Sequence, residues 1–550
     1  MSRKKRILFI TEASYLNTGY ASYSREVMSR LFKTNKYELA ELSTYGEIHH
    51  PRRSEIPWKN YPNMPDPKNT EHVKQYNAHP ANQFGAWRFE RVCLDFEPDI
   101  VFTIRDFWMD SFIYHSPFRN IFSWAWMPTC DASPQNPEWI DIFGETDYLI
   151  TYSDWAGKII QEQAGNQINY LGSAPPLAPP SFQQLDKKQV RNELGIPEDW
   201  NVIGTVMRNQ RRKLFPSLFN AFSQFLKATG DTKTYLYCHT SYPDAGWNIA
   251  QLLLENEISS RVIFTYVCEN CKHIEVCKMN DAKKVCPNCK QYKSSPSSVS
   301  NGLSDSELAK VYNSFDLYLQ VANSEGFGIP AIEAASCGVP LAVVNYSAME
   351  DFVNKVGAFP IRVAEKYKEL ETGCDRAVPD TQSIVDIMSH FFSLPEKERN
   401  EIGLKCNEMY KKNYNWDTTV EKWINAADSC SYANWKTPPL VKPLVEIPLD
   451  QPTNKLFVQD CLNAYNYNQR TGNSHYIRSM RRDLNRGITK QLVDGFYVSE
   501  FSPLAQPKPQ PFNREFMVKI MKQRLENYNI WEQVRSNRSL LIDGKESWLN

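Results

Sequence analysis

The sequence predicts an α/β protein with two domains, each built on a parallel β-sheet with helices on both faces. Three observations support this fold class: the length of 550 residues, the alternation of short apolar runs with helical patterns, and a proline-rich break between two such series. Domains usually contain about 100–200 residues, so two large domains with additions fit this length. Repeated strand–helix alternation is typical of parallel sheets.

The composition is that of a folded soluble protein, with 42% hydrophobic and 23% charged residues. Lys and Arg number 63, and so do Asp and Glu. This balance excludes a global field that attracts nucleic acid or membranes, so such a partner must meet a local patch. The apolar run 7–10 is too short for a secretory signal, and no run approaches the roughly 18 residues of a membrane span. We therefore expect a cytoplasmic protein without a membrane span.

The first predicted domain covers residues 1–173. A strand over 6–11 leads through a glycine-bearing turn into a helix over about 21–32. The segment 51–80, rich in Pro, Asn and charge, is expected to be a long loop insertion. Further buried strands are predicted at 99–104, 121–127 and 148–152.

The second predicted domain covers residues 181–428 and follows an extended linker at 174–180, where four of seven residues are proline. The helix 418–427 is expected to end it. Beyond that helix, a run of prolines opens a C-terminal extension, 429–550. Strands are predicted at 202–206, 235–239, 262–267, 317–321 and 341–344, with helices at 216–228, 305–313 and from 330 to 336.

The most informative segment is 324–340, SEGFGIPAIEAASCGVP. After a buried strand, Gly326 and Gly328 allow a tight turn and close approach of the backbone to a ligand. Pro330 fits the first turn of a helix, whose N-terminus would direct free N–H groups at an anion. These features predict an anion-binding turn at the end of a parallel strand.

Two glutamates stand eight positions apart in this segment, Glu325 and Glu333. The segment resembles the E-x7-E signature of retaining family-four glycosyltransferases, which have two Rossmann-like domains (the GT-B fold). The resemblance implies that Glu325 approaches the donor sugar and that Glu333 binds the ribose of a nucleotide, for which uridine diphosphate is expected. It also places Gly326, Phe327 and Gly328 at the donor. The alternative is an acidic pair that flanks a structural turn.

A basic loop follows the strand 202–206, and Arg208 and Lys213 match positions where the family holds the donor diphosphate. Arg offers bidentate contacts to phosphate and Lys a point charge. The resemblance implies transfer of a hexosyl or pentosyl group with retention. No D-x-D motif is placed to hold a divalent ion, so we expect no catalytic metal. The alternative is a solvated basic loop.

The N-terminal half resembles the family more loosely, and the resemblance covers about residues 5–428. Gly19 stands in the expected glycine loop and is counted among the donor contacts. Many relatives carry a histidine near the position of Asp131. Asp131, or else Asp106, is therefore a candidate to orient the acceptor hydroxyl; the alternative for either is a core or capping aspartate.

The chain has 13 cysteines, and five lie between residues 268 and 289. Two C-x2-C pairs separated by fourteen residues have the spacing of a zinc ribbon. We predict a structural zinc in an insertion at 267–300, near the mouth of the active site, with Cys277 and His273 as spare candidates. Free cysteines in a loop are the alternative. The predicted ligands are Cys268, Cys271, Cys286 and Cys289.

The sequence leaves several classes of acceptor open. Arg and Lys residues interleaved with Tyr between 465 and 490 suit a nucleic acid backbone with exposed bases. With the zinc ribbon, they make the chain similar to bacteriophage enzymes that attach sugars to hydroxymethylated cytosine in DNA. A saccharide or lipid-linked glycan is the alternative acceptor. A non-catalytic nucleic-acid-binding relative is the alternative from another class, and fold alone does not decide among these.

Overall fold

The computed structural model describes residues 3–435, except 17, 117, 120, 284, 292–293 and 299–300. The first sheet is entirely parallel, with the strand order β3-β2-β1-β4-β5-β6-β7. Its strands are β1 Lys5–Glu12, β2 Tyr37–Thr44, β3 Lys59–Pro62, β4 Ile100–Arg105, β5 Ser123–Pro128, β6 Tyr148–Thr151 and β7 Tyr170–Ser173. The α-helices of this part are α1 Gly19–Lys33, α2 Thr70–Asn77, α3 Ala86–Phe96, α4 Phe107–His115, α5 Pro137–Phe143 and α6 Asp154–Ala164.

The second sheet has the order β11-β10-β9-β8-β13-β14-β15, with β12 also paired to β10. Its strands are β8 Asn201–Val206, β9 Thr234–His239, β10 Val262–Cys268, β11 Ile274–Lys278, β12 Ser294–Pro296, β13 Leu317–Gln320, β14 Leu341–Val344 and β15 Phe359–Ile361. A separate hairpin joins β16 Val363–Lys368 to β17 Asp375–Pro379. The α-helices are α7 Lys187–Leu194, α8 Phe215–Thr229, α9 Ile249–Glu255, α10 Asp305–Asn313, α11 Ile329–Ser336, α12 Met349–Val356, α13 Thr381–Ser393, α14 Glu396–Asn413 and α15 Trp416–Ser429.

The prediction of an α/β fold with parallel sheets is confirmed. From β10 to β15 the second sheet is parallel, and only β11 and β12 run antiparallel, both against β10. Each strand predicted from the sequence is present with slightly shifted bounds. The helix α15 returns to the first domain, where Trp423 is fully buried against Phe9 and Phe102. The limits predicted for the domains stay predictions.

The segment 51–80 is not a plain loop, and that prediction is wrong. It contributes the edge strand β3 and the helix α2. Tyr61 of β3 is fully buried, and Trp58 just before it donates a hydrogen bond to the Glu41 carboxylate. Proline is compatible with an edge strand, so the strand can end in Pro62 despite the loop-like composition.

The second sheet positions the cysteine segment. The strand β10 ends at Cys268, and β11 extends the sheet edge beyond it. The C-terminal extension and its basic stretch lie outside the described residues from 436 onward. Within the part of the chain that is described, no helix combines the length and the apolar character needed to cross a membrane.

Candidate functional site

The candidate site lies where the carboxyl edges of the two sheets face each other. Ligand clefts of parallel sheets form at this edge. The two sides approach closely at two glycines: a Cβ on Gly326 would lie 2.4 Å from the Thr129 side chain, and a Cβ on Gly19 would lie 3.2 Å from Ile329. A side chain at position 326 would therefore require Thr129 or the backbone around it to shift.

Glu325 lies in the segment that follows the end of β13 and is the centre of the site. Its side chain is 6% exposed and forms an ion pair with Lys213. Arg212 Nη1 lies 2.6 Å from the Oε2 atom, and Gln320 donates to the Oε1 atom at 2.7 Å. The Glu325 backbone N–H donates to Ser347 Oγ at 2.9 Å. Two cations and an amide thus hold one buried carboxylate in a single orientation.

The basic loop reaches Glu325 because it runs beside the end of β13. Lys213 forms an isolated β-bridge with Ala322, and the Asn323 N–H donates to the Arg212 carbonyl at 2.9 Å. Burial, followed by the positive charge of Arg212, lowers the pKa of Lys213 well below its ordinary value. The surroundings of this lysine therefore favour an additional negative charge.

Arg208 does not lie against Glu325. Its guanidinium pairs with Asp244, with Nε and Oδ2 2.9 Å apart, and its side chain is 52% exposed. Of the two residues predicted to hold the donor diphosphate, only Lys213 lies beside Glu325, and the arginine that accompanies it there is Arg212. The sequence contains a signal for Arg212, since it belongs to the same basic loop, but the loop pattern does not distinguish its three arginines.

The helix α11 begins at the turn that follows Glu325. Gly328 has a φ of 100°, a left-handed conformation that favours glycine, and no side chain caps this helix. Phe327 is buried, with its ring 5.3 Å from that of Phe352. The uncapped N-terminus of a helix attracts anions through its free N–H groups and its dipole. This turn can therefore hold a phosphate.

Glu333 lies one turn further along α11. It accepts a hydrogen bond from the Tyr312 hydroxyl at 2.7 Å. Burial, with a small addition from the negative charge of Asp305, raises the pKa of Glu333 to about 8. Its carboxyl group therefore sits in low-dielectric surroundings, where hydroxyl groups of a ligand are favourable partners.

The opposite side of the cleft carries both candidate aspartates. Tyr20 donates to Asp106 Oδ1 at 2.8 Å, and burial raises the pKa of Asp106. Asp131 Oδ2 lies 2.8 Å from Arg376 Nη1 and accepts a longer hydrogen bond of 3.3 Å from Ser324. Arg376 was not found from the sequence, because it lies well beyond the segment 324–340, in the hairpin of β16 and β17.

The four predicted zinc ligands lie together, with their Sγ atoms all within 4.8 Å of one another. The Sγ atoms of Cys268 and Cys289 are 3.6 Å apart, and those of Cys271 and Cys286 are 3.7 Å apart. Hydrogen bonds, the backbone N–H of His273 first, lower the pKa of Cys271 to about 6. This cluster can hold a metal ion.

The raised pKa of Glu333 leads us to predict how the free energy of unfolding depends on pH. The folded protein binds this proton more tightly than the unfolded chain, so its contribution to stability is complete below pH 4.5 and is lost as the pH rises to about 8. We expect Glu333→Gln to gain stability relative to the wild type over this range, by at most about 1.4 kcal/mol per pH unit. Urea unfolding at several pH values measures the difference.

The matched control is Glu408→Gln, because Glu408 is an exposed glutamate of α14. This variant should follow the wild type at every pH. Parallel pH profiles for Glu333→Gln and the wild type would contradict the raised pKa.

Comparison with known proteins gives one family match. Residues 296–366 match the model described as "Glycosyl transferases group 1". The chain is also 25% identical over 123 residues to the O-antigen chain mannosyltransferase B of Escherichia coli, which is 22% of this chain and 27% of that protein. The chain thus matches about a quarter of the length of this curated relative.

Solved structures extend the likeness of the fold to most of the described chain. The sucrose-phosphate synthase of Thermosynechococcus elongatus has a TM-score of 0.55 at 13% identity, covering 77% of this chain and 98% of that one. The Anabaena HepE protein in complex with UDP and glucose has a TM-score of 0.52 at 12% identity, covering 77% and 100%. Residues 296–366 thus resemble glycosyl transferases of group 1, and most of the described chain shares its two-domain α/β fold with these solved structures.

Proposed function

We propose that this protein transfers a sugar from a UDP-sugar to an acceptor hydroxyl with retention of configuration at the anomeric carbon. One observation carries the proposal: Glu325 is held by Lys213 and Arg212 beside the uncapped N-terminus of α11. The HepE structure, which contains UDP and glucose, has the same fold. This arrangement suits a donor whose sugar meets a carboxylate while its diphosphate meets positive charge.

The donor groups can be assigned to residues of the second domain. The diphosphate would bind at the N-terminus of α11 and at Lys213 and Arg212, and the ribose hydroxyls would bind Glu333. Glu325 would then contact the sugar. Arg208 remains a candidate for the diphosphate, although it would first have to leave Asp244. The lowered pKa of Lys213 supports this assignment, since a bound diphosphate would add negative charge beside a lysine whose charged form is disfavoured by burial and by Arg212.

The proposed mechanism uses the charges in the cleft. As the bond between sugar and diphosphate breaks, negative charge develops on the leaving group. Lys213 and Arg212 are already in place to stabilise it, and such preorganised charge is usually the largest catalytic effect. With retention, the acceptor hydroxyl arrives on the face that the diphosphate leaves, and the diphosphate accepts its proton. Asp131 orients the hydroxyl from the opposite domain, and the proposal needs no catalytic metal.

Lys213→Ala should weaken UDP binding by about 1.5–3 kcal/mol, the usual contribution of a hydrogen bond to a charged group. Arg212→Ala should have a similar effect, and Arg208→Ala a smaller one that also lowers turnover. Isothermal titration calorimetry with UDP measures the affinities. Lys227→Ala is the matched control, because Lys227 is an exposed lysine of the same domain that pairs with Glu257. Wild-type affinity in a folded Lys213→Ala variant would refute the assignment.

The cysteine cluster fits a structural zinc. Four thiolates about 2.3 Å from a tetrahedral zinc lie about 3.8 Å from one another. The observed separations of 3.6 and 3.7 Å agree with this geometry. A shell of four thiolates leaves no open position for a substrate, so we propose that the zinc braces the segment that follows β10.

We expect one zinc per chain in protein purified under reducing conditions without chelators. Cys286→Ser should lose most of it, because a ligand is removed. Cys277→Ser is the control: Cys277 lies within β11, outside the cluster of four, and its loss should leave the zinc content unchanged. Inductively coupled plasma mass spectrometry measures the zinc content per chain. Zinc-free wild-type protein would refute the site.

The acceptor proposed from the sequence is a hydroxymethylated base in DNA. In its support, the cysteine cluster follows the carboxyl end of β10, the sheet edge at which the cleft lies. The basic stretch that also favoured DNA lies outside the described residues. A saccharide or lipid-linked glycan remains the alternative acceptor. The intact set of Glu325, Lys213 and Arg212 argues against a non-catalytic relative.

Incubation with UDP-glucose and other UDP-sugars should add one sugar mass per modified site to a duplex that contains hydroxymethylcytosine. Mass spectrometry of the duplex and of maltotriose, each tested separately, distinguishes the two acceptors. An unmodified cytosine duplex is the control. Glycosylation of maltotriose alone would replace the DNA proposal with the saccharide one.

A further inference from the structure

The hairpin of β16 and β17 belongs to the second domain. The Ala377 N–H donates to the Asn323 carbonyl at 3.0 Å, and the Asn323 side chain donates to the Tyr367 hydroxyl at 3.0 Å. Asn323 lies between β13 and Glu325, so the hairpin is attached to the segment that carries the candidate site. The hairpin must therefore move together with Glu325.

The same hairpin also contacts the first domain. The Asp375 N–H donates to the Ser133 carbonyl at 3.0 Å. The Tyr346 hydroxyl links the same two residues, since it donates to the Asp375 carbonyl and accepts from the Ser133 N–H. Ser133 is two residues from Asp131, so these contacts bring the hairpin to the acceptor side of the cleft.

Arg376 makes the charged contact between the hairpin and the first domain. Nη1 lies 2.8 Å from Asp131 Oδ2 and 2.6 Å from Ser324 Oγ, and Nη2 lies 2.6 Å from Glu369 Oε2. The guanidinium is buried. Burial alone would lower the pKa of Arg376, but the negative charges of Asp131 and Glu369 raise it above its usual range. This arginine is charged and joins the two sides of the cleft.

The partners of Arg376 are distributed unevenly between the domains. Glu369 and Ser324 belong to its own domain and stay with it when the domains separate. Both side-chain partners of Asp131 that occur among the described residues, Arg376 and Ser324, lie in the other domain. Arg376 thus remains neutralised without Asp131, whereas the orientation of Asp131 depends on Arg376 and on closure.

We propose that Arg376 is a positioning residue, which holds the Asp131 carboxylate beside Ser324 and Glu325 when the two domains close over the substrates. The inference rests on the proposed function, because Asp131 is there assigned to orient the acceptor hydroxyl. Arg376 itself acts through Asp131 and contacts neither substrate. A displacement of a reacting group by about 1 Å can lower a rate by about 100-fold, so a positioning role has a measurable effect.

The first test follows the hairpin directly. Hydrogen exchange of the Asp375 amide reports the contact with Ser133, because exchange requires that hydrogen bond to open. Arg376→Gln should accelerate this exchange several-fold and leave the amides of β13 unchanged. Arg362→Gln is the matched control, since Arg362 stands at the base of the same hairpin and pairs with Asp380 of its own domain. Unchanged exchange at Asp375 in Arg376→Gln overturns the proposal.

The second test separates positioning from a purely structural role. Release of UDP from UDP-glucose is measured with water alone and with hydroxymethylcytosine duplex or maltotriose. Arg376→Gln and Asp131→Asn should each lower kcat about 10- to 100-fold without changing UDP affinity. The double variant should be no slower than either single variant, and Arg376→Lys should recover part of the rate. Additive losses, or no loss in Arg376→Gln, overturn the proposal.

A further variant controls for closure in general. Lys355 and Asp154 form another ion pair between the domains, with Nζ and Oδ2 2.7 Å apart. Lys355→Met should lower kcat much less than Arg376→Gln, and an equal loss would overturn the positioning role. Absence of UDP binding in the wild type would contradict the proposed function instead, and the exchange result at Asp375 would still stand on its own.

Discussion

The ion pairs between Glu325 and its two cations are the interaction on which the site depends. Burial disfavours the charged form of a carboxylate or a lysine unless charged or hydrogen-bonding partners compensate for the lost water. Lys213 reaches Glu325 because its loop runs beside the end of β13. The glycines on either side of Phe327 then turn the chain sharply into α11. The path of the basic loop, the turn and the helix are thus parts of one electrostatic arrangement.

The two sheets determine the position of the cleft. In both domains the charged residues follow the carboxyl ends of parallel strands, as Asp106 follows β4 and Glu325 follows β13. The two edges face each other so closely that Gly326 lies against Thr129. Carboxylates of the first domain therefore meet cations of the second, and burial makes each of these interactions stronger than it would be in water.

The positions of candidate site residues could be predicted from the sequence where these residues lie in one continuous segment. Glu325, Gly328 and Glu333 share a single turn and helix, so their spacing alone places them. The cysteine spacing predicted the cluster for the same reason. Which arginine reaches Glu325 depends instead on how the loop packs against β13, and Arg376 arrives from a distant hairpin. The loop predicted at 51–80 was wrong because composition reports propensity, whereas β3 is stabilised by burial of Tyr61.

The ion pairs of Glu325 also affect how a donor would bind. The positive charge of Arg212 disfavours the charged form of Lys213, and both side chains pair with Glu325 in the structure. A diphosphate at the N-terminus of α11 would compete for the same two cations and release the carboxylate. Glu325 would then be free to turn towards the sugar only after the diphosphate is in place. Under the proposed function, the same ion pairs that order the site would thereby make the approach of Glu325 to the sugar depend on binding of the diphosphate.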